Sequence, residues 1–185
     1  RNCGVGRVED AGAVLGFSGG YADAGGDLEI RLDATVNAPA AGFVFTTGLL
    51  SGVGTLNGSV TVGTALSPGS SPGTLVITGN YVQTATGTLN VELGGTTQGV
   101  NYALFQVGGT ATLDGTLNTV YVGPYVAAAG DVYDIITYAA RVGDFATFTL
   151  PDAAMTASAG AATYQLLQPV AAVAATAPTP LVLQV

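Results

Sequence analysis

The sequence predicts an all-β protein whose core is a short parallel β-solenoid with extended terminal strands. Two observations carry that expectation. Gly-Thr-Leu recurs at Gly54, Gly73, Gly87 and Gly115, so a turn-capable glycine is repeatedly followed by β-prone residues and the chain folds back at short intervals, strand upon strand. The runs between these units alternate, as Leu89, Val91 and Leu93 do against Asn90 and Glu92, which gives each strand an inner and an outer face. No helical period of comparable length competes. An antiparallel β-sandwich of pilin type is the alternative architecture.

Three segments follow. In residues 1–47, Asp27-Leu-Glu-Ile-Arg-Leu-Asp33 places Leu28, Ile30 and Leu32 opposite Asp27, Glu29, Arg31 and Asp33, the period of a half-buried strand with one wet face. Phe43-Val-Phe45, beyond Pro39, is a second strand candidate. Residues 48–151 carry the repeats. Strands are expected at 59–62, 74–78, 87–93, 104–107, 110–113, 116–122, 132–138 and 145–150, separated by Gly94-Gly95, Gly108-Gly109, Asp114-Gly115 and Gly123-Pro124, all of them turn chemistry. Residues 152–185 form an extended Ala- and Pro-rich tail: Thr163 to Gln168 reads as extended chain, and Pro169, Pro178 and Pro180 oppose a helix before the apolar Leu181-Val-Leu-Gln-Val185.

Composition narrows the setting. Charged residues are 9% of the chain, against roughly 25% in an ordinary soluble domain, and none occurs between Ala34 and Val91. The four cations are arginines, with no lysine or histidine, and the net charge is -8. Such a chain lacks the clustered cations that hold phosphate, so nucleic acid is excluded as a partner, and anionic membrane surfaces are disfavoured. No apolar run approaches the 18 or so residues of a membrane span. Cys3 is the lone cysteine, so no internal disulfide is expected. With no start methionine or apolar leader before Arg1, the chain reads as processed or as a fragment. Low charge with high β content suits an extracellular wall, fibre or sheath whose edges self-associate.

From about residue 50 to 148 the pattern resembles the autotransporter-associated β-helix repeat proteins, exported bacterial proteins built on a parallel β-solenoid. The matching residues are Leu56-Asn-Gly58, Leu66-Ser-Pro-Gly-Ser-Ser-Pro-Gly-Thr-Leu75, Gly79-Asn-Tyr81, Gly87-Thr-Leu-Asn-Val-Glu-Leu-Gly94, Thr110-Ala-Thr-Leu-Asp-Gly-Thr-Leu117 and Gly143-Asp-Phe145. The resemblance implies a stalk or surface protein, frequently without enzymatic activity. The chain departs from it in having room for only about four or five coils, so its two ends would need capping or stacking.

Candidate chemistry is sparse. Without His or Lys, acid–base work would rest on carboxylates, and the close sets are Asp131 with Asp134, and Asp23 with Asp27 and Glu29. Polysaccharide-active β-helices use such sets, but Asp131 and Asp134 flank a strand start, where turn capping is the ordinary explanation. Asp23, Asp27 and Glu29 offer hard oxygens around a Gly pair, a candidate calcium site, against the reading of a hydrated turn. Asn57-Gly58-Ser59 fits both a glycosylation acceptor and a turn. The pairs Thr84/Thr86 and Thr110/Thr112 do not recur at a constant coil spacing. Tyr81, Tyr102, Tyr121, Tyr125, Tyr133 and Tyr138 suit either a sugar-stacking surface or mixed core and interface positions.

The expected function is mechanical and not enzymatic: a structural subunit of an exported bacterial surface layer or extracellular filament, assembling with copies of itself. Assembly would use the solenoid ends and insertion of Leu181, Val182, Leu183 and Val185 as an added strand. The alternatives are an adhesin-type module that binds carbohydrate or a cell surface, and a polysaccharide-active enzyme.

Overall fold

Leucines separated by irregular intervals along the chain, Leu28, Leu50, Leu66, Leu89 and Leu117, sit directly on one another in a computed structural model, each in register with the next in parallel strands and each buried. Burial of one such column, out of water and in van der Waals contact along its length, is what drives the chain to coil. The structure describes residues 6–8, 14–16, 21–22, 26–69 and 72–170, and side chains for 26–31, 34–69 and 72–170.

The described residues form seventeen strands: β1 (Gly6–Val8), β2 (Val14–Gly16), β3 (Tyr21–Ala22), β4 (Leu28–Asn37), β5 (Phe43–Phe45), β6 (Leu49–Asn57), β7 (Val60–Val62), β8 (Ala65–Pro68), β9 (Thr74–Ile77), β10 (Tyr81–Gln83), β11 (Thr88–Leu93), β12 (Leu104–Leu113), β13 (Thr116–Tyr121), β14 (Val132–Gly143), β15 (Thr147–Thr149), β16 (Thr156–Ala159) and β17 (Thr163–Leu167). Among the described residues there is no helix. The first fifteen pair in parallel into three faces. One face runs β1, start of β4, start of β6, β8, β11, β13, β15. A second runs β2, end of β4, end of β6, β9, start of β12, middle of β14. The third runs β3, β5, β7, β10, end of β12, end of β14. The protein is thus an all-β parallel solenoid.

Among the described residues six complete turns are present, namely β1–β3, β4–β5, β6–β7, β8–β10, β11–β12 and β13–β14; four of them lie in residues 48–151, where four or five are expected. The two further turns, β1–β3 and β4–β5, come from residues 1–47, which the sequence sets apart as an N-terminal segment but which stack on the repeat region in the same register. Strands β6, β8 and β10 lie outside the strands expected from the sequence. In β6, Gly52 and Gly54 have φ of 114° and 136° and look like breakers, yet they sit where the strand bends from one face to the next. A Cβ on Gly52 would lie 1.8 Å from the Ile30 carbonyl oxygen, so only glycine lets two turns approach there. Similarly, Gly108-Gly109, expected to separate two strands, lies inside β12 at a corner, with a register irregularity between Val107 and Thr110. Strand β14 also runs five residues past its expected end at Tyr138, to Gly143.

The four Gly-Thr-Leu units do not occupy equivalent places. Leu89 and Leu117 share the first-face column, whereas Leu56 and Leu75 lie on the second face at different register positions, Leu56 opposite Ile77 and Leu75 opposite Gly54. The tripeptide marks a corner followed by a strand rather than a coil repeat. The third face is filled by Phe43, Val60, Tyr81 and Ala111 in register, with Tyr81 edge-on to Phe105 at 4.8 Å.

The span without charges, 34–91, covers the middle turns. Its outer surface is held by side-chain amides and hydroxyls stacked between turns: Asn57 Nδ2 donates to Asn37 Oδ1 at 2.9 Å, Asn90 Nδ2 to Ser67 Oγ at 3.2 Å, and Asn118 Nδ2 to Asn90 Oδ1 at 2.9 Å. Gln83 is buried deeply. Gln83 Nε2 donates to the carbonyls of Gly87, Asp114 and Thr116, and Tyr81 Oη donates to Gln83 Oε1 at 2.8 Å, so a fully enclosed amide ties one corner to the corner of the next turn.

Candidate functional site

The last turn decides which parts of the sheet remain open. Strand β17 runs antiparallel to β14 from Val132↔Leu167 to Thr137↔Thr163, and β16 runs antiparallel to β17. This hairpin covers the second face, burying Tyr164 and Leu166. It is anchored by Tyr138 Oη, which lies 2.9 Å and 2.8 Å from the carbonyls of Gly160 and Thr163. Gln165 Nε2 donates to Asp134 Oδ1 at 2.6 Å, and Tyr164 Oη to Asp144 Oδ1 at 2.6 Å. The sequence offered little sign of it, because Thr163–Gln168 reads as extended chain whichever way it points.

The other two faces carry no such cover among the described residues. Strand β15 pairs only with β13, and the 140–143 part of β14 only with β12. Their apolar side chains are outside: Phe148 is 43% exposed and Val142 57% exposed. Phe148 leans on Phe145, centroids 6.2 Å apart, and Phe145 on Tyr164. Arg141 reaches back to the Gly143 carbonyl and lies 3.8 Å from Asp144, so the single cation at this end is engaged with its own turn. The sequence places Phe148 in a strand, but which strands end the stack is not a local property.

Beside this end lies a tyrosine cluster. Tyr125 Oη and Tyr133 Oη are 2.6 Å apart, and Asp131 Oδ2 accepts from Tyr125 at 3.1 Å, from Tyr133 at 3.2 Å and from the Ala128 amide at 2.8 Å. Tyr102 stacks edge-on against Tyr133 at 5.3 Å and Tyr121 against Tyr125 at 5.9 Å. Burial raises the pKa of Tyr133 well above 10, and the hydrogen bond to Tyr125 adds to it. Asp131 therefore caps the turn that opens β14, as the ordinary reading of its position has it. Its neighbour Asp134 bonds the cap hairpin instead.

Of the calcium set, Asp23 lies outside the described residues. Asp27 Oδ1 accepts from the Leu49 amide at 2.9 Å, joining successive turns, and Arg31 Nε donates to Glu29 Oε1 at 2.6 Å. Among the described residues no group of three metal-ligating side chains converges. Asn57 closes β6 next to Gly58, whose φ of 125° marks a corner. Thr84 and Thr86 also lie at a corner, with Thr86 Oγ1 donating to the Gly63 carbonyl at 2.8 Å, so they do not share a strand face. Tyr81, Tyr102, Tyr133 and Tyr138 are buried, which favours the core reading over a sugar-stacking row. The assembly candidates Leu181, Val182, Leu183 and Val185, and Cys3, lie outside the described residues. No described helix is long and apolar enough to cross a membrane.

No protein-family model matches the chain, and no curated protein matches it.

Proposed function

We propose that this protein is a structural subunit of an exported bacterial surface layer or extracellular filament, and that copies join by continuing the sheet from one solenoid end to the next. The observation that carries the reading is the C-terminal end of the stack, where β15 and the 140–143 edge of β14 stop unpaired among the described residues with Phe148 and Val142 exposed. Unpaired edges and exposed apolar side chains are what strand addition uses. The hairpin β16–β17 covers one face of three, so the contact is confined to the other two. The incoming strand is assigned to residues 181–185 of a neighbouring copy, an apolar segment beyond a proline-containing linker.

Electron microscopy and sedimentation of the purified chain test this. Filaments or concentration-dependent oligomers are expected. Deleting Pro180 to Val185, or replacing Phe148 with Asp, should reduce them to monomers without changing the fold. Monomers at every concentration, or polymers unaffected by both changes, would overturn the assignment.

An adhesin-type module for carbohydrate or a cell surface is the second reading. What favours it is an uncharged outer column on the third face, Val44, Thr61, Val82, Thr112 and Val142 in register. Glycan binding by a monomeric chain, lost on replacing Val82 with Glu, would support it.

A further inference from the structure

We propose that Tyr125 and Tyr133 form an oxidative cross-linking site, at which a peroxide-fed one-electron oxidant joins the two rings into an intramolecular dityrosine. The hydroxyl oxygens are already 2.6 Å apart, and Asp131 Oδ2 lies against both, at 3.1 Å and 3.2 Å. Three contacts share two phenolic protons, so at least one hydroxyl donates to the carboxylate at any moment. A phenol that loses an electron becomes a strong acid. A base already hydrogen-bonded to it therefore eases oxidation, because the proton leaves along a formed bond. Asp131 is held for that task by the Ala128 amide at 2.8 Å.

Placement favours coupling over escape. Tyr133 is fully buried and Tyr125 half-buried, so an oxidant in solution meets Tyr125 first. Tyr121 packs edge-on against Tyr125 at 5.9 Å and Tyr102 against Tyr133 at 5.3 Å, so each ring of the pair is held by an aromatic neighbour. In a dityrosine the new bond joins carbons adjacent to the two hydroxyl-bearing carbons, leaving the oxygens side by side, the relation this pair already has.

The step balances. Tyr125 loses one electron and passes its phenolic proton to Asp131 Oδ2, and the ring carbon next to its oxygen then bonds to the matching carbon of Tyr133. Loss of a second electron and a proton restores both aromatic rings and both hydroxyls. Two ring C–H bonds are lost and one C–C bond is formed. The two electrons and two protons reduce one hydrogen peroxide to two waters. The product staples the 122–131 connection to β14 at the end of the stack, and because it lies within one chain it stands whether or not copies assemble.

The test treats the full chain with hydrogen peroxide and a small haem peptide, and reads intact mass, dityrosine fluorescence and the sequence of the linked peptide. The expected result is a monomer lighter by two hydrogens, linked between residues 125 and 133. Tyr125→Phe, at a half-buried position that tolerates the loss of one hydroxyl, should abolish it, and Tyr121→Phe should not. Asp131→Asn, with folding checked by circular dichroism, should slow it several-fold. Absence of a cross-linked monomer, a link between other tyrosines, or equal yield from Tyr125→Phe would overturn the proposal.

Discussion

Glycines in this chain fall into two kinds that look alike in the sequence. At Gly52 the backbone has φ of 114° and an added Cβ would lie 1.8 Å from the Ile30 carbonyl oxygen. At Gly123 φ is 62° and nothing lies within 4 Å of the added atom. Gly52→Ala must push two stacked strands apart as well as strain the backbone, and is expected to cost about 4 kcal/mol or more, in the range that unfolds marginal proteins. Gly123→Ala faces only the left-handed penalty of about 1 kcal/mol. Urea denaturation of the two variants checks the contrast, which would collapse if both lost the same stability.

At the level of the element, the hairpin β16–β17 matters more than its length suggests. A parallel stack has no internal reason to stop, and its last turn would present the apolar interior to water. Tyr164 and Leu166 close the second face and are fully buried. Leu166→Ala removes part of that cover and leaves a cavity, which typically costs 2–5 kcal/mol, here expected at about 3 kcal/mol. Hydrogen exchange should then show faster opening of β14 while β4 to β9 keep their protection. Uniform acceleration along the whole stack would argue that the hairpin is no cap.

The whole molecule has a titration behaviour set by its tyrosines. Burial is the first cause raising the pKa of Tyr81, Tyr102, Tyr125, Tyr133, Tyr138 and Tyr164 above 10. In the unfolded chain these phenols ionise near 10, while in the folded one they hold their protons to higher pH. Above pH 10 the unfolded state therefore binds fewer protons than the folded state, and stability falls as pH rises. Their contribution is complete below pH 10 and is lost progressively as pH climbs through the folded values. Stability should be flat with respect to these groups from pH 8 to about 9.5 and drop steeply beyond, with tyrosinate absorbance rising together with loss of sheet signal. Ionisation well ahead of unfolding would contradict the burial.

Legibility in the sequence followed the range of the interaction. The alternation of Leu89, Asn90, Val91, Glu92 and Leu93 was readable because a strand's period belongs to its own residues. So was the turn role of Asp131. Strand β6 was not readable, because Gly52 and Gly54 have local preferences that argue against a strand, and only close contact with Ile30 and Ala34 in the preceding turn makes them right for one. Nor could the irregular intervals between Leu28, Leu50, Leu66, Leu89 and Leu117 announce a single column, since corners of different lengths absorb the differences.

The sequence by itself determined that this protein is all-β, folds back at short intervals and carries its middle turns without charge, because inner–outer alternation, glycine corners and uncharged polar residues act over a few positions. Only the tertiary structure decided the parallel pairing and the number of turns, the antiparallel cap on one face, the two faces left uncovered among the described residues and the meeting of Tyr125, Tyr133 and Asp131. Each of those depends on which distant segments become neighbours, and that is settled by burial summed over the whole stack rather than by any stretch of chain.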